Sequence, residues 1–257
     1  MDIRKRIEQT VLGHFEYLPQ VLGFATIEDQ GLHIIHCGLG SSMFNIVFGD
    51  LLLPQEEMAS AIARIIDRFG GQPFAWWVPP TDRVTDVVPA LVSAGCHMET
   101  TEHAMVCDLE ALSADALRTT SGICQVRTRA ELQDFIAILE VYDPTARSFY
   151  ERLSLLQLAG REKLFVGYAE EEPTVIGILF EGDMAAGIFG ILTREDVRGK
   201  GFGTDMMRTL LRSAKERGFR HAILSASSDS GYRIYERLGF VAVGTFACLE
   251  YKGRAFV

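Results

Sequence analysis

The residues best suited to chemistry form a glycine-rich run at positions 197–204, which reads VRGKGFGT and lies between a predicted strand and a predicted helix. Glycines let the main chain turn tightly and leave its N–H groups open to a ligand. A helix that starts in such a run presents unpaired N–H groups and the positive end of its dipole. The pattern predicts a pyrophosphate cradle, although such a run can also be a simple turn.

The spacing of the run differs from two other phosphate-binding patterns. The triphosphate loop GxxxxGK[ST] is absent, and the glycines at 199, 201 and 203 do not give the dinucleotide fingerprint GxGxxG. Between residues 188 and 220, eight basic residues outnumber four acidic ones in a chain whose net charge is −9. This local charge favours a phosphorylated ligand, but a solvated helix face would produce the same pattern.

In this context the second half of the chain resembles the GNAT family of acyl-CoA-dependent N-acyltransferases. The pyrophosphate motif of that family, [R/Q]-x-x-G-x-[G/A], is matched by Arg198, Gly201 and Gly203. The resemblance covers about residues 124–251. It implies acetyl-CoA as co-substrate and transfer of its acetyl group to a primary amine of a small molecule or a peptide.

A later family segment, roughly N-x-x-A-x-x-L-Y-x-x-x-G-F, is matched only in part. Its end corresponds to Ile234, Tyr235, Gly239 and Phe240. At the earlier positions Ser228 replaces the asparagine and Gly231 replaces the alanine.

The resemblance also implies a set of cofactor contacts. In the family, the strand before the loop separates from its neighbour, and its free main chain pairs with the pantetheine arm. Here that strand is 187–193, in which Gly190 would tolerate a bulge and a nearby N–H would stabilise an oxyanion. Core packing of Ile191 and Leu192 is compatible with this role. The implied contacts are Ile191, Leu192, Thr193, Arg198, Gly199, Lys200, Gly201, Phe202, Gly203, Thr204, Ser228 and Gly231.

Tyr235 is the general acid that the resemblance implies. The CoA thiolate that leaves after amine attack needs a proton, and a phenol with a pKa of about 10 is protonated at neutral pH. Ile234 and Leu238 are spaced i, i+4 and should face the core, which places Tyr235 beside that stripe. The alternative is an amphipathic tyrosine at a helix edge, with Tyr232 as the second candidate for the acid.

The sequence does not identify the general base. The strand at 186–193 contains no carboxylate. Glu181, Asp183 and Asp229 lie nearby in the sequence, but their contexts are typical of solvated turn residues.

Periodicity and turn residues predict the elements that position these side chains. In the second half, strands are predicted at 124–128, 163–169, 174–180, 186–193, 221–226 and 241–251. Helices are predicted at 129–141, 145–158, 204–217 and 230–238. This order of elements also fits the family.

The first half repeats much of this order, which predicts an internal structural duplication. Its helices are predicted at 3–18, 55–69 and 84–94, and its strands at 24–27, 32–36, 44–48, 73–78 and 96–108. We therefore predict an α/β (α+β) fold with two tandem acyltransferase-like domains, each a mixed, mostly antiparallel sheet flanked by helices. The predicted domains are residues 1–112 and 123–257, joined by a polar linker at 113–122.

The first half lacks the residues that carry the chemistry in the second. The connection at 49–54 has neither the arginine nor the glycine pattern, and Leu91 stands where the second half has Tyr235. We expect this half to be a degenerate copy that shapes or covers the substrate cleft.

Composition limits the other possibilities. The chain has 257 residues, 48% of them hydrophobic, without a run of the roughly 18 apolar residues that span a bilayer. The N-terminus lacks the features of a signal peptide. We expect a cytoplasmic protein that does not associate with membranes. The negative net charge disfavours nucleic acid as a partner, and a homodimer is left open.

The cysteine and histidine residues do not predict a metal site. Five scattered cysteines without a CxxC pair argue against a disulfide framework or a zinc knuckle. In the run HIIHC, the apolar Ile34 and Ile35 between His33 and His36 favour a buried strand over metal binding.

Two function classes fit these observations. The favoured one is an enzyme that acetylates a primary amine. The alternative is a protein that binds acetyl-CoA for regulation or sensing without turnover, and transfer of a longer acyl group is the second possibility among enzymes.

Overall fold

The structure is a computed structural model that describes residues 2–80, 84–120 and 122–253. Within these residues the helices are α1 (Ile3–Val21), α2 (Gln55–Arg68), α3 (Val84–Ser93), α4 (Arg129–Leu139), α5 (Ala146–Tyr150), α6 (Leu155–Leu158), α7 (Phe202–Glu216) and α8 (Asp229–Arg237). The strands are β1 (Ala25–Asp29), β2 (Leu32–His36), β3 (Asn45–Gly49), β4 (Phe74–Val78), β5 (His97–Asp108), β6 (Gly122–Gln125), β7 (Glu162–Ala169), β8 (Glu172–Glu181), β9 (Ala186–Thr193), β10 (His221–Ala226) and β11 (Val241–Tyr251).

These strands form one sheet in the order β1-β2-β3-β4-β11-β5-β10-β9-β8-β7-β6. Neighbours are antiparallel except for β3 with β4 and β9 with β10, which are parallel. The parallel pair occurs at the same place in each half, just before the last helix and strand. The predicted fold, two similar α/β halves with mostly antiparallel pairing, is confirmed.

The two halves exchange their last strands. β11 of the second half pairs with β4 of the first half, and β5 of the first half pairs with β10 of the second. β5 and β11 also pair with each other at the centre of the sheet. The exchange brings first-half side chains to the edge of β10, next to the predicted catalytic tyrosine. The domain boundaries at 112 and 123 stay a prediction, and the predicted second domain includes residues 254–257, which lie outside the described part.

Helices cover both faces of the sheet because alternate strand residues are apolar on each face. On β7, Leu164 and Val166 pack with α1, α4 and α5, whereas Phe165 packs with α7. On the first half, α2 and α3 cover the face that carries Trp76 and Val47. The face under α1, α4 and α5 holds the cavity described below.

The prediction of one helix at 145–158 is wrong, because the structure has two short helices, α5 and α6, in its place. Ser154 starts the second one: its side chain accepts from the Gln157 N–H, and the Gln157 side chain accepts from the Ser154 N–H. This capping box starts α6 as a separate helix after α5 has ended at Tyr150. The strand predicted at 124–128 ends at Gln125 for the same reason, since Thr128 caps α4 through Glu131.

The connection between the halves is packed and not loose. Leu117 is buried against α7, and Lys215 of α7 donates to the carbonyl oxygen of Leu112 at 2.6 Å. The Thr120 hydroxyl donates to the buried Asp205 carboxylate at 2.9 Å. Ser121, part of the predicted linker, lies outside the described residues.

Candidate active site

The strand β9 separates from β10 before the two strands end. They pair only at Ala186 with Ala222 and at Gly187 with Ile223. Beyond Gly187, β9 runs on to Thr193 and pairs with β8 alone among the described strands. Its other edge therefore presents main-chain groups that a ligand can pair with.

The bulge expected at Gly190 is present. Gly190 has a φ of 58°, and the register between β8 and β9 shifts between Ile176 and Ile178. Two β9 residues, Gly190 and Ile191, thus oppose the single residue Gly177. A bulge bends its strand and increases the local twist, which turns the end of β9 away from β10.

The glycine-rich run forms an open turn into α7. Gly199 and Gly201 have φ values of 78° and 92°, a region that favours glycine. A Cβ atom at either position would have nothing within 4 Å, so the space beside the turn is open. Gly201 is the N-cap of α7 and has no side chain for capping, which leaves the first N–H groups of a fifteen-residue helix directed into that space. These features fit a pyrophosphate.

A cavity of about 740 Å³, here called the cofactor cavity, lies between this turn, the free end of β9 and α8. Every cofactor contact implied by the sequence lines it except Lys200, which is exposed. Six further residues line the cavity that were not among the cofactor contacts expected from the sequence: Tyr142, Val197, Met207, Ser230, Ile234 and Arg237.

Arg198 is the basic residue of the motif that lines the cofactor cavity. Its Nη2 donates to the Tyr142 hydroxyl at 2.6 Å, and its Nε donates to the Thr193 carbonyl oxygen at 3.3 Å. Other basic residues of the segment serve the fold: Arg217 pairs with Glu181 and Arg220 with Asp108. The local positive charge at 188–220 is therefore in large part structural.

A second cavity of about 430 Å³, here called the acceptor cavity, lies on the face of the sheet under α1, α4 and α5. Three residues, Ile191, Leu192 and Tyr235, line both cavities. The two cavities thus meet where β9 and β10 separate. A group bound in one cavity can approach a group bound in the other at this point.

Tyr235 lies at this junction on α8. Burial, and then the nearby carboxylate of Glu102, raise the pKa of Tyr235 to about 12, so the phenol is protonated across the physiological range. A Cβ atom at position 231 would be 3.4 Å from the Tyr235 hydroxyl, so Gly231 gives that hydroxyl room. Tyr232 lines neither of the two cavities and instead packs against the His103 ring at 4.8 Å.

Glu102 is a candidate functional residue that the sequence analysis did not single out. It lies on β5, one residue beyond the last pair of β5 with β10, and its side chain lines the acceptor cavity. Glu102 is only 8% exposed. Burial raises its pKa, and a hydrogen bond with Ser225 opposes that shift. A largely buried carboxylate with a raised pKa is suited to act as a general base.

A signal for Glu102 was present in the sequence. It has the same parity on β5 as Ala104 and Val106, which pack in the core under α1 and α4. Burial of a carboxylate on the apolar face of a strand costs free energy, so such a residue is a candidate for a functional role.

The three carboxylates considered from the sequence lie elsewhere. Glu181 pairs with Arg217 at 3.2 Å, and Asp183 pairs with Arg161 at 2.6 Å. Asp229 is exposed in the first turn of α8. They line neither the cofactor cavity nor the acceptor cavity.

The histidines of the HIIHC run have protein partners. His33 hydrogen-bonds Glu16 and His36 hydrogen-bonds Gln72, each at 2.9 Å, and Cys37 is buried. Among the described residues there is no group of three potential ligands that could hold a metal ion. The described helices also include none with the length and apolar character required to cross a bilayer.

Comparison with known families agrees with the geometry of this site. Residues 129–240 match the model of the Acetyltransferase (GNAT) family. This segment contains β9, the glycine-rich turn, α7, β10 and α8. Residues 129–240 therefore carry a GNAT acetyltransferase domain.

Solved structures show the same fold over nearly the whole chain. A GCN5-related N-acetyltransferase from Kribbella flavida is 16% identical, with a TM-score of 0.73 and coverage of 100% of this chain and 98% of that one. A functionally unknown conserved protein from Staphylococcus epidermidis is 15% identical, with a TM-score of 0.67 and coverage of 91% and 96%.

A tandem GNAT protein from the clavulanic acid biosynthesis pathway is 13% identical, with a TM-score of 0.56 and coverage of 82% and 76%. It fits the arrangement of two similar halves. At these identities the likeness concerns the fold alone. No curated protein sequence matches the chain.

Proposed function

We propose that the chain is an N-acetyltransferase that transfers the acetyl group of acetyl-CoA to a primary amine. The observation that carries this proposal is the meeting of the two cavities at Ile191, Leu192 and Tyr235. One cavity has the open turn and helix N-terminus that suit a pyrophosphate. The other is largely apolar and has the size of a small-molecule site.

Different segments of the second half bind different parts of acetyl-CoA. The free edge of β9 holds the pantetheine arm, while the turn at 199–203 and the start of α7 hold the pyrophosphate. An N–H of β9 near the bulge donates to the carbonyl oxygen of the thioester as negative charge develops there. The thioester supplies an activated acyl carbon.

Glu102 and Tyr235 handle the protons. Glu102 takes a proton from the amine as its nitrogen bonds to the acyl carbon, and the carbon–sulfur bond then breaks. Tyr235 gives its phenolic proton to the departing thiolate. Return of a proton from Glu102 to Tyr235 restores both groups, so the products are an amide and a free CoA thiol.

Amine-dependent release of the CoA thiol tests the proposal. The purified chain is incubated with acetyl-CoA and a panel of primary amines, and the free thiol is measured. We expect release only when an amine is present. Binding of acetyl-CoA without release by any amine would instead favour a sensing protein. A faster reaction with propionyl- or butyryl-CoA would replace acetyl by a longer acyl group.

A further inference from the structure

A second carboxylate lines the acceptor cavity, on the strand β7. Glu162 is 2% exposed, and its Oε2 lies 2.9 Å from His14 Nδ1. Its Oε1 has no hydrogen-bond donor within the described protein. A buried carboxylate oxygen without a donor is costly and rare in folded proteins. Glu162 therefore calls for an additional donor.

His14 holds this carboxylate in place. The imidazole of His14 stacks on the Phe189 ring, with centroids 3.9 Å apart and planes inclined by 4°. The buried Tyr150 side chain lies close by, and the Glu162 charge contributes to its raised pKa. His14 and Tyr150 both line the acceptor cavity. The arrangement fixes Glu162 at the cavity wall while leaving one oxygen to accept.

The two carboxylates are separated by an apolar stretch. Three strands, β10, β9 and β8, lie between Glu102 on β5 and Glu162 on β7. Where all the intervening strands are paired, ordinary strand spacing places the main chains of β5 and β7 about 19 Å apart. The cavity between them is walled mainly by aliphatic and aromatic side chains, among them Phe15, Phe135 and Ile178. A molecule that reaches both ends is elongated and apolar in the middle.

We infer that the acceptor is an elongated amine with two polar ends. This inference rests on the proposed function. One end is the primary amine that reacts beside Glu102 and Tyr235. The other end is a second ammonium that donates to Glu162 Oε1, since an ionised carboxylate only accepts and binds a cationic donor most strongly. An apolar chain joins the two ends.

The wild-type protein tests this with matched amines. Acetylation is measured for α,ω-diaminooctane, octylamine, α,ω-diaminobutane and butylamine. We expect kcat/KM for diaminooctane to exceed that for octylamine by roughly 10- to 100-fold, the scale of one hydrogen bond to a charged group. Diaminobutane is too short to reach both ends and should gain no such advantage over butylamine. Equal use of diaminooctane and octylamine would overturn the inference.

A variant assigns the preference to one residue. Glu162→Gln keeps the size of the side chain and removes its charge, so the ratio of kcat/KM for diaminooctane to octylamine should fall toward one. Glu181→Gln, on the neighbouring strand and outside both cavities, should keep the wild-type ratio. A Glu162→Gln protein that loses activity toward both amines alike would contradict the inference.

Failure of the proposed function would look different. If acetyl-CoA binds and no amine is acetylated, calorimetry of diaminooctane and octylamine with the CoA-bound protein still tests the cavity. Tighter binding of diaminooctane supports the second ammonium site, and equal affinity rejects it.

Discussion

Replacing Glu102 by glutamine tests whether the first half of the chain supplies the general base. Glu102→Gln keeps the shape of the side chain and its hydrogen bond with Ser225. It removes the basic carboxylate oxygen that would accept the proton of the amine. Because the side chain is buried on β5, the substitution introduces no new exposed surface.

The expected loss is on the order of 10²-fold in kcat/KM, the usual scale for a general base. This corresponds to about 2.7 kcal/mol of transition-state stabilisation. Acetyl-CoA affinity should stay close to that of the wild type, since Glu102 lines the acceptor cavity and not the cofactor cavity. Steady-state thiol release gives the first quantity, and calorimetry gives the second.

The pH dependence of kcat/KM is an independent test of Glu102 as the base. Burial raises the pKa of Glu102, so wild-type kcat/KM should rise with pH as that carboxyl loses its proton at a pH above the usual range of a glutamate. In Glu102→Gln this rise should disappear and leave only the ionisation of the amine. The pKa of Tyr235, about 12, places loss of the acid outside the accessible range.

As the pH rises, the stability of the wild type should fall while its kcat/KM rises. A carboxyl whose pKa is higher in the folded than in the unfolded protein binds protons more tightly when folded. The wild type therefore loses stability as pH rises from the unfolded-state pKa through the folded-state pKa. Glu102→Gln lacks this loss, so its Tm relative to wild type should increase as the pH is raised from acidic to neutral.

Glu99→Gln is the matched control, because Glu99 lies on the same strand and is exposed. It should match the wild type in kcat/KM and pH profile. A wild-type rate in Glu102→Gln, or an acidic limb with an unchanged midpoint, would refute the assignment of Glu102 as the base.

Three further predictions concern the second half. Tyr235→Phe should lower kcat and kcat/KM together by on the order of 10²-fold with little change in acetyl-CoA affinity. Gly203→Asp should weaken acetyl-CoA binding at least on the order of 10²-fold, because like charges about 4 Å apart repel by about 4 kcal/mol at an effective dielectric constant of about 20. Calorimetric titration should give one CoA per chain, since the first turn of α2 in the first half carries Glu56 and Glu57, which disfavour a phosphate.

Each of these has an outcome that opposes it. A Tyr235→Phe enzyme with a wild-type acyl-transfer step in rapid-mixing experiments would make the tyrosine a packing residue. Gly203→Ala, whose methyl would lie 3.3 Å from Thr193 Oγ1, is the control for added bulk and should retain binding. Two equivalent CoA sites would show that the first half is not degenerate.

The residues that line the cofactor cavity could be grouped from the sequence because most of them are local. The strand at 186–193, the turn and the start of the following helix are contiguous in the chain, so spacing alone places them together. Periodicity likewise placed β9, β10 and β11 at the observed bounds. Helix 145–158 was predicted wrongly because the capping box at Ser154 was not recognised in an apolar stretch.

The acceptor cavity could not be predicted because its polar residues are distant in sequence. Glu102 reaches Tyr235 only through the exchange of β5 and β11, and His14 reaches Glu162 only because α1 crosses the sheet. Strand pairing of this range depends on the packing of the whole sheet and not on local pattern. The first half was expected to shape the cleft, and its residues do line the acceptor cavity.

The mass of the acceptor after reaction tests the central claim most directly. The chain is incubated with acetyl-CoA labelled in the acetyl group and with diaminooctane, and the products are analysed by mass spectrometry together with a thiol assay. The account predicts one labelled N-acetyl amide for each CoA thiol released. Thiol release without an acetylated amine would show thioester hydrolysis and contradict it, as would intact acetyl-CoA in the presence of every amine of the panel.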